Sequence, residues 1–442
     1  MAGRRRKRKI PEEIFTVQVD SFSHDGKGVA RVDGMATFID GALPGETVEF
    51  KYTSIRRDFA EAKVYRVIKA SELRTEPKCE YFGVCGGCSI QHLVADQQIH
   101  IKQQLLQEQL SRIGKLDRVA PWSPLKGPLW GYRHKARLGV KYVAKKNRVL
   151  VGYREKGNSF LADMRSCATL HPKIGEKLND FSELISLLSI RSRIPQIEVA
   201  VGEFACAVVF RTLDPATDED RQKFADFGEC HGFDVYLQSG GPDTVEPING
   251  VAKLLSYSLP AHDIVCQYEP LQFTQVNVEL NRKMVERALQ LLRPTQDDRV
   301  IDLFCGIGNF TLALARCADQ VVGVEGDKRL VAQAESNAAA NGLANIAFHT
   351  ANLETDFVNE SWAKQKYSLA LLDPSRAGAQ NVLKYLFASG VQRIVYVSCN
   401  PSTLARDAGI LVNELGYDMS GVGVMDMFPQ TSHVESIALF ER

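Results

Sequence analysis

The run Val300-Ile301-Asp302-Leu303-Phe304-Cys305-Gly306-Ile307-Gly308-Asn309-Phe310-Thr311 constrains this chain more than any other segment. An apolar strand runs into two closely spaced glycines, and Leu312-Ala313-Leu314-Ala315 then opens a helix. Glycine there lets the backbone turn tightly and come close to a ligand. From about residue 270 onward, apolar strands alternate with amphipathic helices, the pattern of a parallel, Rossmann-like α/β sheet.

A second strand, residues 320–324, ends in Glu325, 19 residues beyond Gly306. A carboxylate there accepts hydrogen bonds from both ribose hydroxyls of an adenosine. A dinucleotide site predicts a third glycine near position 311, where this chain has Thr311. S-adenosylmethionine has no pyrophosphate to cradle, so the shorter glycine pattern suits it. Asn352 follows a third strand and is expected near the adenine. Asp373 closes a fourth, residues 369–372, at the carboxyl edge where ligands of such sheets lie, and is expected to face the methyl donor.

Upstream the texture differs. Residues 10 to about 70 read as short alternating strands punctuated by Gly, Pro and Asp, which points to a small OB-like β-barrel. Barrels of that kind often bind RNA. The segment Val94 to Ile113 has near-helical apolar spacing, with Gly114 expected at the left-handed position that ends the helix. Residues 125 to about 265 are β-rich.

The net charge is only +1, but it is unevenly spread. Arg4 to Lys9 are six consecutive cations, and Trp130 to Arg165 holds ten Lys or Arg against two acids. Concentrated basic segments in a near-neutral chain suit a polyanion. Trp130-Gly131-Tyr132-Arg133-His134-Lys135-Ala136-Arg137, with Lys141, Tyr142 and Tyr153, mixes cations with rings on which splayed bases could stack. The alternative is an amphipathic strand with a solvated basic face. No long apolar run or signal-peptide core is present, so a cytoplasmic protein without a membrane span is expected.

Two chemical features remain. The strand of residues 393–397 ends in Ser398-Cys399-Asn400-Pro401, which puts a thiol on a Pro-stopped turn at the sheet's active edge. Glu435, in Ser432-His433-Val434-Glu435, precedes a final apolar strand, and its bland reading is a solvent-facing acid. An activated cysteine with a carboxylate base suits methylation at C5 of uracil, a carbon that becomes nucleophilic only after a thiolate adds to C6. Arg376 is a candidate activator of Cys399, the alternative being that it holds phosphate or substrate; Cys305 and Cys317 read as core. Separately, Cys79, Cys85 and Cys88 form C-x5-C-x2-C around Gly86-Gly87, a metal-binding signature whose spacing does not separate zinc from iron–sulfur. Cys167 is the preferred fourth ligand; Cys206, Cys230 and Cys266 compete, each in a run that reads as core.

Phe273-x-Gln275-x-Asn277, Asp302-x-Phe304-x-Gly306-x-Gly308-Asn309, Asp373-Pro374-x-Arg376-x-Gly378, Ser398-Cys399-Asn400-Pro401 and His433-x-Glu435 occur in order, and together they resemble the RNA uracil-C5 methyltransferase family. Ser375 departs from the second proline often found there. The resemblance implies Cys399 as nucleophile, Glu435 as proton-abstracting base, and Gln275, Phe304, Asn309, Glu325, Asn352 and Asp373 around S-adenosylmethionine. It also implies a [4Fe–4S] cluster on the cysteines, a TRAM-type barrel at residues 10–72, a central iron–sulfur and RNA-binding domain at 73–92 and 125–265, and a methyltransferase domain at 93–124 and 266–442. This three-part layout is similar to family members that act on 23S ribosomal RNA, with no obligate protein partner evident. Two competing readings are a methyltransferase for a cytosine or an adenine amino group, and a non-enzymatic iron–sulfur RNA-binding protein. Arg376, where amino methyltransferases carry an aromatic, weighs against the first, and the Cys399 and Glu435 pair against the second.

Overall fold

The structure is a computed structural model that describes residues 10–355 and 357–442; the basic run Arg4 to Lys9 lies outside them. The chain divides into two compact units.

The first comprises residues 10–105, 154–159 and 428–433. Its six strands run in the order Phe15–Gln18, Thr47–Ile55, Phe59–Lys69, Met35–Asp40, Gly28–Val32 and Ser21–Phe22. Only Val19 and Asp20 separate the two outermost strands in sequence, and their N–H groups donate to Glu46 O (2.9 Å) and Val29 O (2.8 Å). The sheet therefore wraps on itself as a small barrel. Val48 and Phe50, two residues apart, turn inward onto Val19, Ala30, Ile39 and Ala62, the period-two burial of a one-sided sheet. Register shifts along Thr47–Ile55 against Phe59–Lys69 bend this long pair around the core.

The cysteine-bearing loop of the same unit is organised by its own backbone. Phe82 N–H donates to Cys79 O (3.0 Å) and Cys85 N–H to Tyr81 O (2.9 Å), while Ser89 and Ile90 N–H both donate to Gln430 O.

The second unit comprises residues 106–153, 160–427 and 434–442. One six-stranded sheet runs Val245–Pro247, Asp234–Gln238, Cys206–Arg211, Gln196–Val201, Lys135–Val143 and Arg148–Gly152. Helices Leu178–Ser186 and Asp218–His231 bring Phe181, Phe224 and Phe227 together beside Phe210 of this sheet.

The seven-stranded sheet runs Ile346–Thr350, Gln320–Glu325, Arg299–Leu303, Leu369–Leu372, Arg393–Ser398, Glu435–Glu441 and Asp418–Met425. The first five are mutually parallel, as the alternation of apolar strands and helices predicts. The last two are antiparallel, which the purely parallel expectation lacks.

One helix end differs from expectation. Helix Ala95–Gln109 continues through a π-turn, Leu110–Gly114, and the left-handed cap is Lys115 (φ +57°), not Gly114. Gly114 is small for another reason: a Cβ there would lie 2.6 Å from Ala405 O of helix Pro401–Gly409.

Candidate active site

Parallel pairing of Leu303 with Val324 and Leu372, and of Leu372 with Tyr396, levels the strand ends. Phe304, Glu325 and Asp373 therefore leave the sheet side by side. Phe304 holds φ +67°, a backbone region costly for a side chain, and donates its N–H to Val324 O (2.9 Å). Gly306 and Gly308 follow at φ +56° and +93°, and a Cβ on Gly306 would meet nothing within 4 Å. The loop thus opens onto free space.

Glu325 fastens that loop. Its Oε2 accepts from Gly306 N–H (3.1 Å), and its Oε1 from Gly326 (2.7 Å) and Asp327 (3.1 Å) N–H groups. A carboxylate has about four acceptor positions, so room remains for a ribose hydroxyl. Asn352 turns its Oδ1 to Glu354 N–H (2.9 Å) just after strand Ile346–Thr350. Asn309 faces inward: it exchanges two hydrogen bonds with Asn281 (2.8 and 2.9 Å) and accepts a third from Tyr257 Oη (2.8 Å). Asn281 and Tyr257 carry no local sequence signal and were not anticipated. Together, the open loop and the acceptors at adjoining strand ends fit an adenosine-bearing cofactor.

Two carboxyls behind the loop are unusual. Burial pushes Asp373 up to about 7, and Gln275 Nε2 reaches its Oδ2 at 3.5 Å. Asp302 is pushed to about 8, chiefly by burial with Asp373 and Glu325 adding, against a 2.5 Å hydrogen bond from Thr311.

The antiparallel ladder sets the thiol and the carboxylate at adjoining strand ends. Ser398 pairs with Ser436, so the next position along one strand, Cys399, falls opposite the preceding position on the other, Glu435. Glu435 is only 8% exposed, which overturns the solvent-facing reading. Pro401 also differs from expectation, since it opens a helix rather than stopping a turn. Asn400 caps that helix by accepting Ser402 N–H (3.1 Å), and proline at the first helical position suits its missing N–H.

Arg376 does not leave Cys399 activated. Burial pushes the thiol up to about 11, Glu435 and Asp373 push the same way, and Arg376 pulls it down without prevailing. Cys305 is buried as expected, and burial raises its thiol far above the usual range; Cys317 is only half-buried.

The three clustered cysteines lie in the first unit, where Gly87 N–H points at Cys85 Sγ (3.3 Å). Cys167 lies in the second, buried, with its Sγ 3.3 Å from Thr169 Oγ1. Of the competitors, Cys206 and Cys266 are core residues, but Cys230 is exposed. Among the described residues, no group of three or more His, Cys, Asp or Glu is drawn into metal-holding geometry. The thiol donors and the amide aimed at sulfur fit thiolate ligation in chemistry.

The basic aromatic stretch is partly spent internally. Tyr132 is buried, Lys135 donates to Gln272 O and is pushed down to about 8 by burial, and Arg137 pairs with Glu198 (2.9 Å). No helix among the described residues is long and apolar enough to cross a membrane.

Sheet order, glycine loop and strand-end acceptors define a Rossmann-like methyltransferase. Residues 210–442 match the family described as tRNA (Uracil-5-)-methyltransferase, and residues 10–65 match the TRAM domain. The chain belongs to the RNA uracil-C5 methyltransferase family. It is 53% identical, over 100% of both chains, to 23S rRNA (uracil(1939)-C(5))-methyltransferase RlmD of Methylococcus capsulatus. A protein of the same name from Stenotrophomonas maltophilia is 49% identical over 99% of both chains. Among solved structures, the Pyrococcus abyssi tRNA (uracil-54, C5)-methyltransferase in complex with S-adenosyl-L-homocysteine shares the fold, with a TM-score of 0.74 and 22% identity over 96% of this chain and 100% of that one.

Proposed function

We propose that this protein methylates C5 of a specific uridine in 23S ribosomal RNA, with Cys399 as nucleophile and Glu435 as base. The observation that carries the reading is the ladder that puts a half-buried thiol opposite a buried carboxylate at the carboxyl edge of the sheet. The RlmD relatives support the choice of RNA.

S-adenosylmethionine supplies an electrophilic methyl group when bound, with Gln275, Phe304, Asn309, Glu325, Asn352 and Asp373 around it. Cys399 thiolate adds to C6 of the uracil, and the C5=C6 electron pair moves onto C5 and the O4 carbonyl. C5 then takes the methyl group as the sulfonium S–CH3 bond breaks, its electron pair staying on the sulfur of the departing S-adenosylhomocysteine. Glu435 removes the C5 proton, the double bond re-forms, and the C6–S bond breaks to return the thiolate. Asp373, pushed to about 7, is partly protonated at neutral pH and so burdens the neighbouring thiolate less than an ordinary aspartate would. A stacked uracil cannot meet Cys399, so the base must be flipped or lie in a loop.

Cys79, Cys85 and Cys88, with Cys167 as fourth thiolate, would hold a [4Fe–4S] cluster; their donor chemistry supports this, and no step of the reaction needs it. We assign residues 10–72 to a TRAM-type RNA-binding barrel, 73–92 with 125–265 to the cluster and RNA, and 93–124 with 266–442 to methyl transfer.

The test is a denaturing gel after incubation with S-adenosylmethionine and a 5-fluorouridine-substituted 23S rRNA fragment. Fluorine cannot leave C5 as a proton does, so a protein–RNA adduct should accumulate and vanish in Cys399→Ala. No adduct from protein that binds the cofactor, on RNA competent for another enzyme, would overturn the chemistry.

A further inference from the structure

We propose that Asp407 is a positioning residue for this reaction: it ties the loop carrying Asp373 and Arg376 to the helix that begins beside Cys399. The inference rests on the reading of Cys399 as nucleophile and deepens it.

The loop from Asp373 to Ala379 follows strand Leu369–Leu372 and has little regular structure of its own. What anchors it is helix Pro401–Gly409, which starts two residues after Cys399. Asp407 on that helix is fully buried. Its Oδ2 accepts from Ala379 N–H and from Tyr396 Oη, both at 2.7 Å. Its Oδ1 accepts from Arg406 Nε (2.8 Å) and Nη2 (2.7 Å). Arg406 Nη2 reaches on to Ala377 O (2.9 Å), and Asn400 Nδ2 donates to Arg376 O (3.1 Å). Backbone groups of residues 376, 377 and 379 are thus held by the helix, and Tyr396 ties Asp407 back to the strand that ends at Ser398.

The space is made for this arrangement. Gly378 sits at φ +85°, and a Cβ there would fall 2.5 Å from Arg406 Nη2 and 2.7 Å from Asp407 Oδ2. Only glycine lets the loop lie on the carboxylate.

The consequence is electrostatic. The charged groups facing the Cys399 thiol are Glu435 from strand Glu435–Glu441, and Asp373 and Arg376 from the loop. Of these charges, Arg376 is the one that favours the thiolate. Asp373 adjoins strand Leu369–Leu372, whereas Asp407 and Arg406 hold the far end of the loop at residues 377 and 379, so a loop released from Asp407 carries the Arg376 charge away from the sulfur while Asp373 stays in place. The other Asp407 partners are all donors, so an amide in its place must turn a donor toward a donor.

The experiment measures the pH dependence of adduct formation on the 5-fluorouridine RNA, with S-adenosylmethionine, in the full-length protein. Thiolate grows with pH, so the rate rises on the alkaline side. Asp407→Asn should move that rise to higher pH and slow adduct formation about 10- to 100-fold at neutral pH, with S-adenosylmethionine affinity unchanged. Adding Asp407→Asn to Arg376→Ala should produce no further pH shift, because the two act through one group. If Asp407→Asn does not fold, Arg406→Gln, which releases Ala377 but keeps the bonds to Ala379 and Tyr396, carries the same expected shift. An unchanged pH profile, at whatever rate, overturns the proposal. Wild-type protein that forms no adduct would overturn the assignment of Cys399 instead.

Discussion

Cys399 and Glu435 make an uneasy pair, because a carboxylate beside a thiol opposes its ionisation. The proposed mechanism requires both: the thiolate must add before anything else can happen, and the carboxylate is needed only after the methyl group has arrived. Removing the base should therefore separate the steps. Glu435→Gln is expected to add to ordinary uridine and methylate it, yet fail to lose the C5 proton. A protein–RNA band should then persist on a denaturing gel without any fluorine, while turnover falls by roughly 10²- to 10⁴-fold. Turnover near that of the wild type would remove Glu435 from its role.

The contact between the turn at Leu110–Gly114 and helix Pro401–Gly409 is close enough to exclude a methyl group. Gly114→Ala should cost about 1–3 kcal/mol, read as a lower Tm. Lys115→Gly relieves a left-handed residue and is expected to raise Tm slightly. A Gly114→Ala protein as stable as the wild type would mean the backbone yields at that point. These two neighbours show where sequence patterns stop being informative. Helical spacing located the helix, but a close approach by a segment nearly 300 residues later, not the cap, decided the glycine. The strands at 299–303, 320–325 and 369–372 were legible because buried parallel strands are continuous apolar runs between turn signals. The antiparallel insertion of Glu435–Glu441 was not, because pairing partners leave no local trace. So it was with the site. The strand-end positions of Cys399, Glu325 and Asp373 were readable, whereas Asn281, Tyr257 and Asp407 make contacts that folding alone creates.

Across the whole molecule, a near-neutral balance coexists with an RNA-handling assignment, so binding must draw on local clusters and not on net charge. The cysteine assignment is tested at the same scale. Protein purified without oxygen should carry iron and sulfide in equal amounts with broad visible absorbance, and Cys167→Ser should lose both while still binding S-adenosylmethionine. Stoichiometric zinc in place of iron would sink the cluster. The sheet order also has a temporal side. Strand Glu435–Glu441 lies between Arg393–Ser398 and Asp418–Met425, both earlier in the chain. As the polypeptide emerges, a gap one strand wide must stay open beside the nucleophile's strand until the later segment slots into it. Until then the thiol proposed as nucleophile has no carboxylate opposite it, and the proposed reaction lacks the base that would finish it.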